Sequence, residues 1–194
     1  MNSRAQRTIA TTLALVVSFL VGSECAAAWK AEQGVETPSY AVTEPASTNL
    51  NIDDIVLMCE AVHDGSRLQL QIYLSDDGPL RPNGVPATRL KAEPRAEIQI
   101  DDQVFPVSLL FADDYVVLAD SQIGPFPLLS DRLLDAMEDG KRMLLRFDLV
   151  GEPPGQAPAY DGEAMVELGT AAVSAVRKCA DTPDARGVAS LVGR

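Results

Sequence analysis

The segment from Ile55 to Leu74 leaves this chain little choice of local structure. Ile55-Val56-Leu57-Met58-Cys59 is a continuous apolar run of strand length, and Arg67-Leu68-Gln69-Leu70-Gln71-Ile72-Tyr73-Leu74 alternates polar with apolar residues at period two. Successive side chains of a strand point to opposite faces, so Leu68, Leu70, Ile72 and Leu74 belong to a core face and the glutamines to the other. Asp64-Gly65 between the runs suits the positive backbone angles of a tight turn, which predicts an antiparallel hairpin.

The rhythm continues. Ala96-Glu97-Ile98-Gln99-Ile100 turns through Asp101-Asp102-Gln103 into Val104-Phe105, and residues 107–111 turn through Asp113-Asp114 into Tyr115-Val116-Val117-Leu118. Parallel pairing needs long crossovers, so strands joined by short turns predict an antiparallel meander. The expected fold is α+β and β-rich, a sandwich or partly closed barrel with one or two peripheral helices. One helix follows the Pro125-Phe126-Pro127 break: Ser130 caps it, Asp131 suits the first turn, Leu133, Leu134 and Met137 share a face, and Gly140 closes it in a left-handed conformation. Residues 143–149 and 164–168 read as strands, and 170–178 as a C-terminal helix with Ala172, Val173 and Val176 inward and Cys179 in its last turn. The Pro- and Gly-rich stretches 75–95 and 151–162 read as surface loops, the second able to offer an extended polyproline surface.

The N-terminus carries Arg4 and Arg7, an uncharged run over residues 8–23, and Ala26-Ala27-Ala28 before Trp29. That order reads as a secretory signal peptide over residues 1–28. The run is shorter than the roughly 20 apolar residues of a membrane anchor, and Glu24 before Cys25 is unsuited to a lipoprotein cleavage site. The mature chain is expected to be periplasmic or extracellular, with no membrane span after signal removal. Residues 29–50 read as an irregular lead-in apart from a short strand at Tyr40-Ala41-Val42, residues 51–180 as one β-rich domain, and residues 181–194 as a flexible tail.

Of three cysteines, Cys25 leaves with the signal, and Cys59 and Cys179 remain in a compartment that permits a disulfide. Their wide separation lacks the close spacing of a redox pair, so the bond is expected to be structural. Closing a loop of about 120 residues removes denatured-state entropy worth about 4–5 kcal/mol.

The formal net charge is −12, and losing Arg4, Arg7 and Glu24 leaves the remainder one unit more negative. Nucleic acid is not an expected partner, because displacing counterions from phosphates takes clustered Lys and Arg. Acidity serves solubility and also attracts a basic protein or peptide. The sole histidine, His63, adjoins the Asp64 turn, and no Gly-x-Ser-x-Gly elbow accompanies it. The acidic doublets Asp53-Asp54, Asp76-Asp77, Asp101-Asp102 and Asp113-Asp114 read as turn formers. Asn49-x-Asn51-x-Asp53 with Glu60 imitates a calcium loop, but Asp54 stands where such a loop needs glycine. No metal site, phosphate-binding glycine pattern or cofactor is implied.

Several segments carry a family resemblance: Trp29 at the mature start, a strand ending in Cys59-Glu60, the Ile100-Asp101 hairpin, Leu133-Leu134-Asp135-Ala136-Met137-x-x-Gly140, and residues 166–173 leading to Cys179. Together they resemble the invasion-associated locus B family and VasI-like type VI secretion accessory proteins, small exported bacterial proteins. The resemblance implies a compact β-rich envelope domain without a catalytic centre; the long proline-rich insertions and single cysteine pair depart from it. The expected function is a non-enzymatic binding or accessory module for another envelope component. The alternatives are a secreted hydrolase using loop carboxylates such as Glu60, Asp77 and Asp114, and a purely structural envelope protein.

Overall fold

The computed structural model describes residues 29–32, 40–62, 65–75, 77–93, 95–123, 126–152, 155–157 and 159–180. The signal-peptide reading, His63 with Asp64, and the tail at 181–194 lie outside the described residues.

Trp29 is buried, and three short strands follow it: β1 (Lys30–Glu32), β2 (Tyr40–Thr43) and β3 (Ser47–Thr48). The lead-in expected to be largely irregular therefore supplies three strands, of which only β2 has a local apolar signal. β1 and β3 exist because a neighbour offers its edge: β1 pairs with β2, and β3 with the later strand at Ala164 and Met165. Next comes the expected hairpin, β4 (Ile52–Val62) and β5 (Gly65–Leu74), in register from Val62 opposite Gly65 to Asp54 opposite Tyr73, with an irregularity at Asp53. Leu68, Leu70 and Ile72 are buried as expected, and Leu74 is partly buried against the core. Gln71 lies on the opposite face as expected and is buried there as well.

Stretch 75–95 is more than a loop. It holds a 3-10 turn at Pro82–Gly84 and helix α1 (Thr88–Ala92), and it sends Leu80 and Leu90 into the core. Asn51 anchors it, its Oδ1 accepting from Leu80 N–H at 3.0 Å and its Nδ2 donating to Ser75 O at 3.0 Å. Strand β6 (Ala96–Ile100) then pairs with β7 (Gln103–Phe111). The sequence suggests a break at Pro106, yet β7 runs through it. Residues 103–107 pair with β6 on one flank, and residues 108–111 pair on the other with β8 (Tyr115–Ala119). Pro106 lies where only one flank has a partner, the edge-like setting in which strands tolerate proline.

A small hairpin, β9 (Ser121–Ile123) with β10 (Phe126–Leu128), occupies the place expected to be a plain break. Helix α2 (Asp131–Asp139) follows it, and Ser130 Oγ accepts from Leu133 N–H as expected of the cap. Gly140 does not adopt a left-handed conformation: its φ is −77° and its ψ 164°. Glycine is needed there for space, since a Cβ would lie 2.4 Å from Ile100 Cγ2 and 2.7 Å from Ala136 O. The chain closes with β11 (Arg142–Phe147), β12 (Gly162–Glu167) and α3 (Thr170–Ala180), close to the expected positions.

Ten strands form one antiparallel sheet in the order β1-β2-β4-β5-β8-β7-β6-β11-β12-β3, and β7 passes from one half to the other. The sheet curls as a half-barrel, so the barrel-like alternative describes the fold better than a sandwich. Its inner face carries Ile55, Leu57, Leu70, Ile72, Ile98 and Phe147, against Leu133 and Met137 of α2 and Val173 and Val176 of α3. Full burial of each such side chain stabilises by about 1.5–3 kcal/mol.

Candidate interaction surface

The outer face of the β2-β4-β5-β8-β7 half, opposite the core, carries apolar residues that are buried along its middle and more open at its ends. One row crosses all five strands as Val42, Val56, Gln71, Val117 and Leu110, each opposite the next. Val56, Gln71 and Val117 are buried, yet Val56 and Val117 do not belong to the core cluster; Leu110, at the row's end, is 54% exposed. A second row holds half-buried Tyr40, Met58 and Gln69, and a third Asp54, Tyr73 and Tyr115. A hydrogen-bonded line stiffens the middle strand: Tyr73 Oη donates to Gln71 Oε1 at 3.3 Å, Gln71 Nε2 to Gln69 Oε1 at 3.3 Å, and Gln69 Nε2 to Pro127 O at 2.9 Å. This satisfies the buried amide, which would otherwise be costly.

Acidic groups border this face. Glu60 lies opposite Arg67 at one end of the hairpin, and exposed Asp114 lies in the β7–β8 turn beside Tyr115. Burial raises the Tyr73 phenol pKa above its ordinary value, and Tyr115, Asp114 and Glu60 raise it further. Aromatic and methionine side chains with a charged border have the composition of a recognition surface.

The other carboxylates read from the sequence are dispersed. Asp77 accepts from Gly84 N–H at 3.2 Å and fastens its own loop. Asp101 has φ 47° and accepts from the N–H groups of Lys141 and Arg142, both at 3.2 Å, in keeping with a turn-forming role. Clefts of about 520, 170 and 780 Å³ open on the surface, and none is lined by Glu60, Asp77 or Asp114. Among the described residues no three His, Cys, Asp or Glu converge to hold a metal ion. Asn49 and Asn51 of the calcium-like pattern are structural pins, Asn49 bonding Glu163 N–H and Asp161 O.

Sequence reasoning missed a buried ionic cluster. Asp148, fully buried, accepts from Arg89 at 3.1 Å and from Gly151 N–H at 2.9 Å, with Arg95 at 3.7 Å. Asp148 is the chief reason the Arg89 pKa is raised. Alongside, Arg146 pairs with Glu97 and lies 5.0 Å from the Tyr160 ring centroid. The surplus of arginines over lysines around 81–95 is the one local signal of such pairing. A second cluster ties α2 to α3, with Arg177 2.6 Å from both Asp135 and Glu138. A hydrogen bond from Ser174 and the Arg177 charge hold Glu138 below its ordinary pKa.

Cys59 is fully buried on the inner face of β4, against which α3 packs. Cys179 falls in the last turn of α3, and its side chain lies outside the described residues. Among the described residues no helix is long and apolar enough to cross a membrane.

No protein-family model and no curated protein matches this chain. Among solved structures it is similar to the crystal structure of invasion associated protein B from Bartonella henselae, with 13% sequence identity, a TM-score of 0.46, and coverage of 82% of this chain and 98% of that one.

Proposed function

We propose that this chain is an exported, non-enzymatic accessory module of the cell envelope that docks a basic partner protein on the outer face of the β2-β4-β5-β8-β7 half-sheet. The carrying observation is the open part of this face, Leu110 and Val42 at the ends of the five-strand row with half-buried Tyr40, Met58, Tyr73 and Tyr115 beside it, bordered by carboxylates on a chain of net charge −12. Exposed Leu110 and the half-buried Val42, Tyr40, Met58, Tyr73 and Tyr115 supply the apolar contact, and the acidic border steers a cationic partner into register. Residues 1–28 act as the export signal, and the remainder works as one folded unit in the periplasm or outside the cell. The order of segments from Trp29 to Cys179 resembles that of the invasion-associated locus B and VasI-like types, and this resemblance supports the reading. The three clefts described above, none of them lined by Glu60, Asp77 or Asp114, lend the hydrolase alternative no support.

A disulfide between Cys59 and Cys179 completes this reading. It is supported by the complete burial of Cys59 and by the packing of α3 on β4. Mass spectrometry of the exported protein should show one linked pair and no free thiol at either position; free thiols at both would refute the bond.

The docking test compares wild type with Leu110→Lys, an exposed position where the substitution leaves the core alone. A basic partner purified from the envelope should bind wild type with an affinity that falls as salt rises, and bind the variant at least tenfold more weakly. Equal binding by the two proteins would refute this face as the docking surface. Cleavage of a glycan or peptide library would refute the non-enzymatic reading.

A further inference from the structure

We propose that Asp54, Tyr73, Tyr115 and Asp114 form a subsite for one cationic side chain of the partner, an arginine guanidinium or a lysine ammonium; this rests on the docking face proposed above. Asp54, Tyr73 and Tyr115 lie side by side across β4, β5 and β8, and Asp114 directly precedes Tyr115. Leu74 N–H donates to Asp114 O at 3.2 Å, so Tyr73 and Tyr115 occupy the position between ladder bonds where facing side chains come closest. Their ring centroids are 5.3 Å apart, with the planes tilted by 31°. Both rings are half-buried, and the strands beneath them fix their position.

Two electron-rich rings, with Asp54 opposite Tyr73 in the ladder and Asp114 next to Tyr115 in the chain, attract a cation by quadrupole and charge together. Among the described residues, no ion pair engages the Asp54 or Asp114 carboxylate. Arg81, which reaches this turn, donates to the backbone carbonyls of Asp113 and Gly84 instead. Burial is the chief cause of the raised Tyr73 pKa, followed by Tyr115, with smaller contributions from Asp114 and Glu60. The acidic 520 Å³ cleft beside α2 differs, since Asp101 and Asp135 in its lining already have partners. A planar guanidinium stacks on tyrosine and can reach a carboxylate at its edge, so arginine is the better fit.

The test uses the folded chain without its signal, two small probes and one peptide. Agmatine, which carries a guanidinium at one end and an ammonium at the other, should shift the Tyr73 and Tyr115 ring resonances in an NMR titration, and neutral butylurea should not. Asp54→Asn with Asp114→Asn should abolish that shift and weaken an arginine-rich peptide about tenfold, the combined effect of two surface charges, one half-buried and one exposed. Tyr115→Leu should weaken it about threefold, and Tyr73→Phe should leave it unchanged because the ring remains. Agmatine shifts that bypass both rings, or survive the double substitution, would overturn the subsite. Peptide binding that responds to Leu110→Lys and not to the aspartate variants would retain the docking face and discard the subsite. Ring shifts with agmatine, together with peptide binding indifferent to Leu110→Lys, would retain the subsite and discard the docking face.

Discussion

Asp148→Ala should be among the most damaging single substitutions outside the apolar core. The carboxylate is fully buried and joins three segments: α1 through Arg89, the approach to β6 through Arg95, and the loop after β11 through Gly151 N–H. Hydrogen bonds to a charged acceptor contribute about 1.5–3 kcal/mol each. The Gly151 bond is the sheltered one and contributes in that range; Arg89 and Arg95 are partly exposed and rehydrate when the carboxylate is lost. Adding about 1 kcal/mol for the void left by the side chain brings the loss to about 3 kcal/mol, the lower end of the range for breaking a buried pair. That corresponds to a fall in Tm of about 6–12 °C for a domain of this size. Urea unfolding followed by fluorescence of Trp29, the single tryptophan and a buried one, would measure it at unchanged m-value. Asp148→Asn keeps an acceptor for Gly151 N–H and should lose about half as much. A loss below about 0.5 kcal/mol for Asp148→Ala would refute the reasoning, because the cluster would then be no better than a hydrated surface.

Other substitutions probe separate devices. Glu138 is held below its ordinary value of 4.5 in the folded chain, so its contribution is present above that value and lost as pH falls through the lower folded one. Glu138→Gln should therefore flatten the acid side of the stability profile, with a cost near neutrality of about 0.5 kcal/mol after solvent screening. Gly140→Ala should cost about 1–3 kcal/mol by crowding Ile100 and the Ala136 carbonyl. Gly84→Ala, in open space at φ +72°, should cost only about 1 kcal/mol of backbone strain; thermal unfolding of the two proteins would rank them. Ser130→Ala removes the α2 cap and should cost about 1 kcal/mol in the same assay.

How much of the fold was legible depended on where each determining interaction lay. The β4–β5 hairpin could be read because alternation at Arg67–Leu74 and the turn at Asp64-Gly65 are properties of neighbouring residues. Ser130 as a cap was equally legible, since it acts three residues away on Leu133. Strands β1 and β3 carry almost no apolar signal, and a partner from elsewhere in the chain defines each. Helix α1 was hidden among prolines because Leu80 and Leu90 became core residues only once Asn51 had drawn that stretch against the sheet. Gly140 marks a helix end in the sequence, but the close approach of Ile100, and not a left-handed backbone, decides its identity. Of the candidate surface, the sequence showed alternation along β5 and surplus acid, but not the faces of the other strands.

By itself, then, the sequence determined a β-rich antiparallel chain with two capped or terminal helices, because periodicity, turn residues and capping act over a few positions. Tertiary structure alone decided that β7 would bridge two half-sheets, that Asp148 would be buried between two arginines, and that Val42, Val56, Gln71, Val117 and Leu110 would line up. Each of these depends on register between strands distant in the chain. A shift of one residue in any pairing would turn the affected side chains to the other face and dissolve the row.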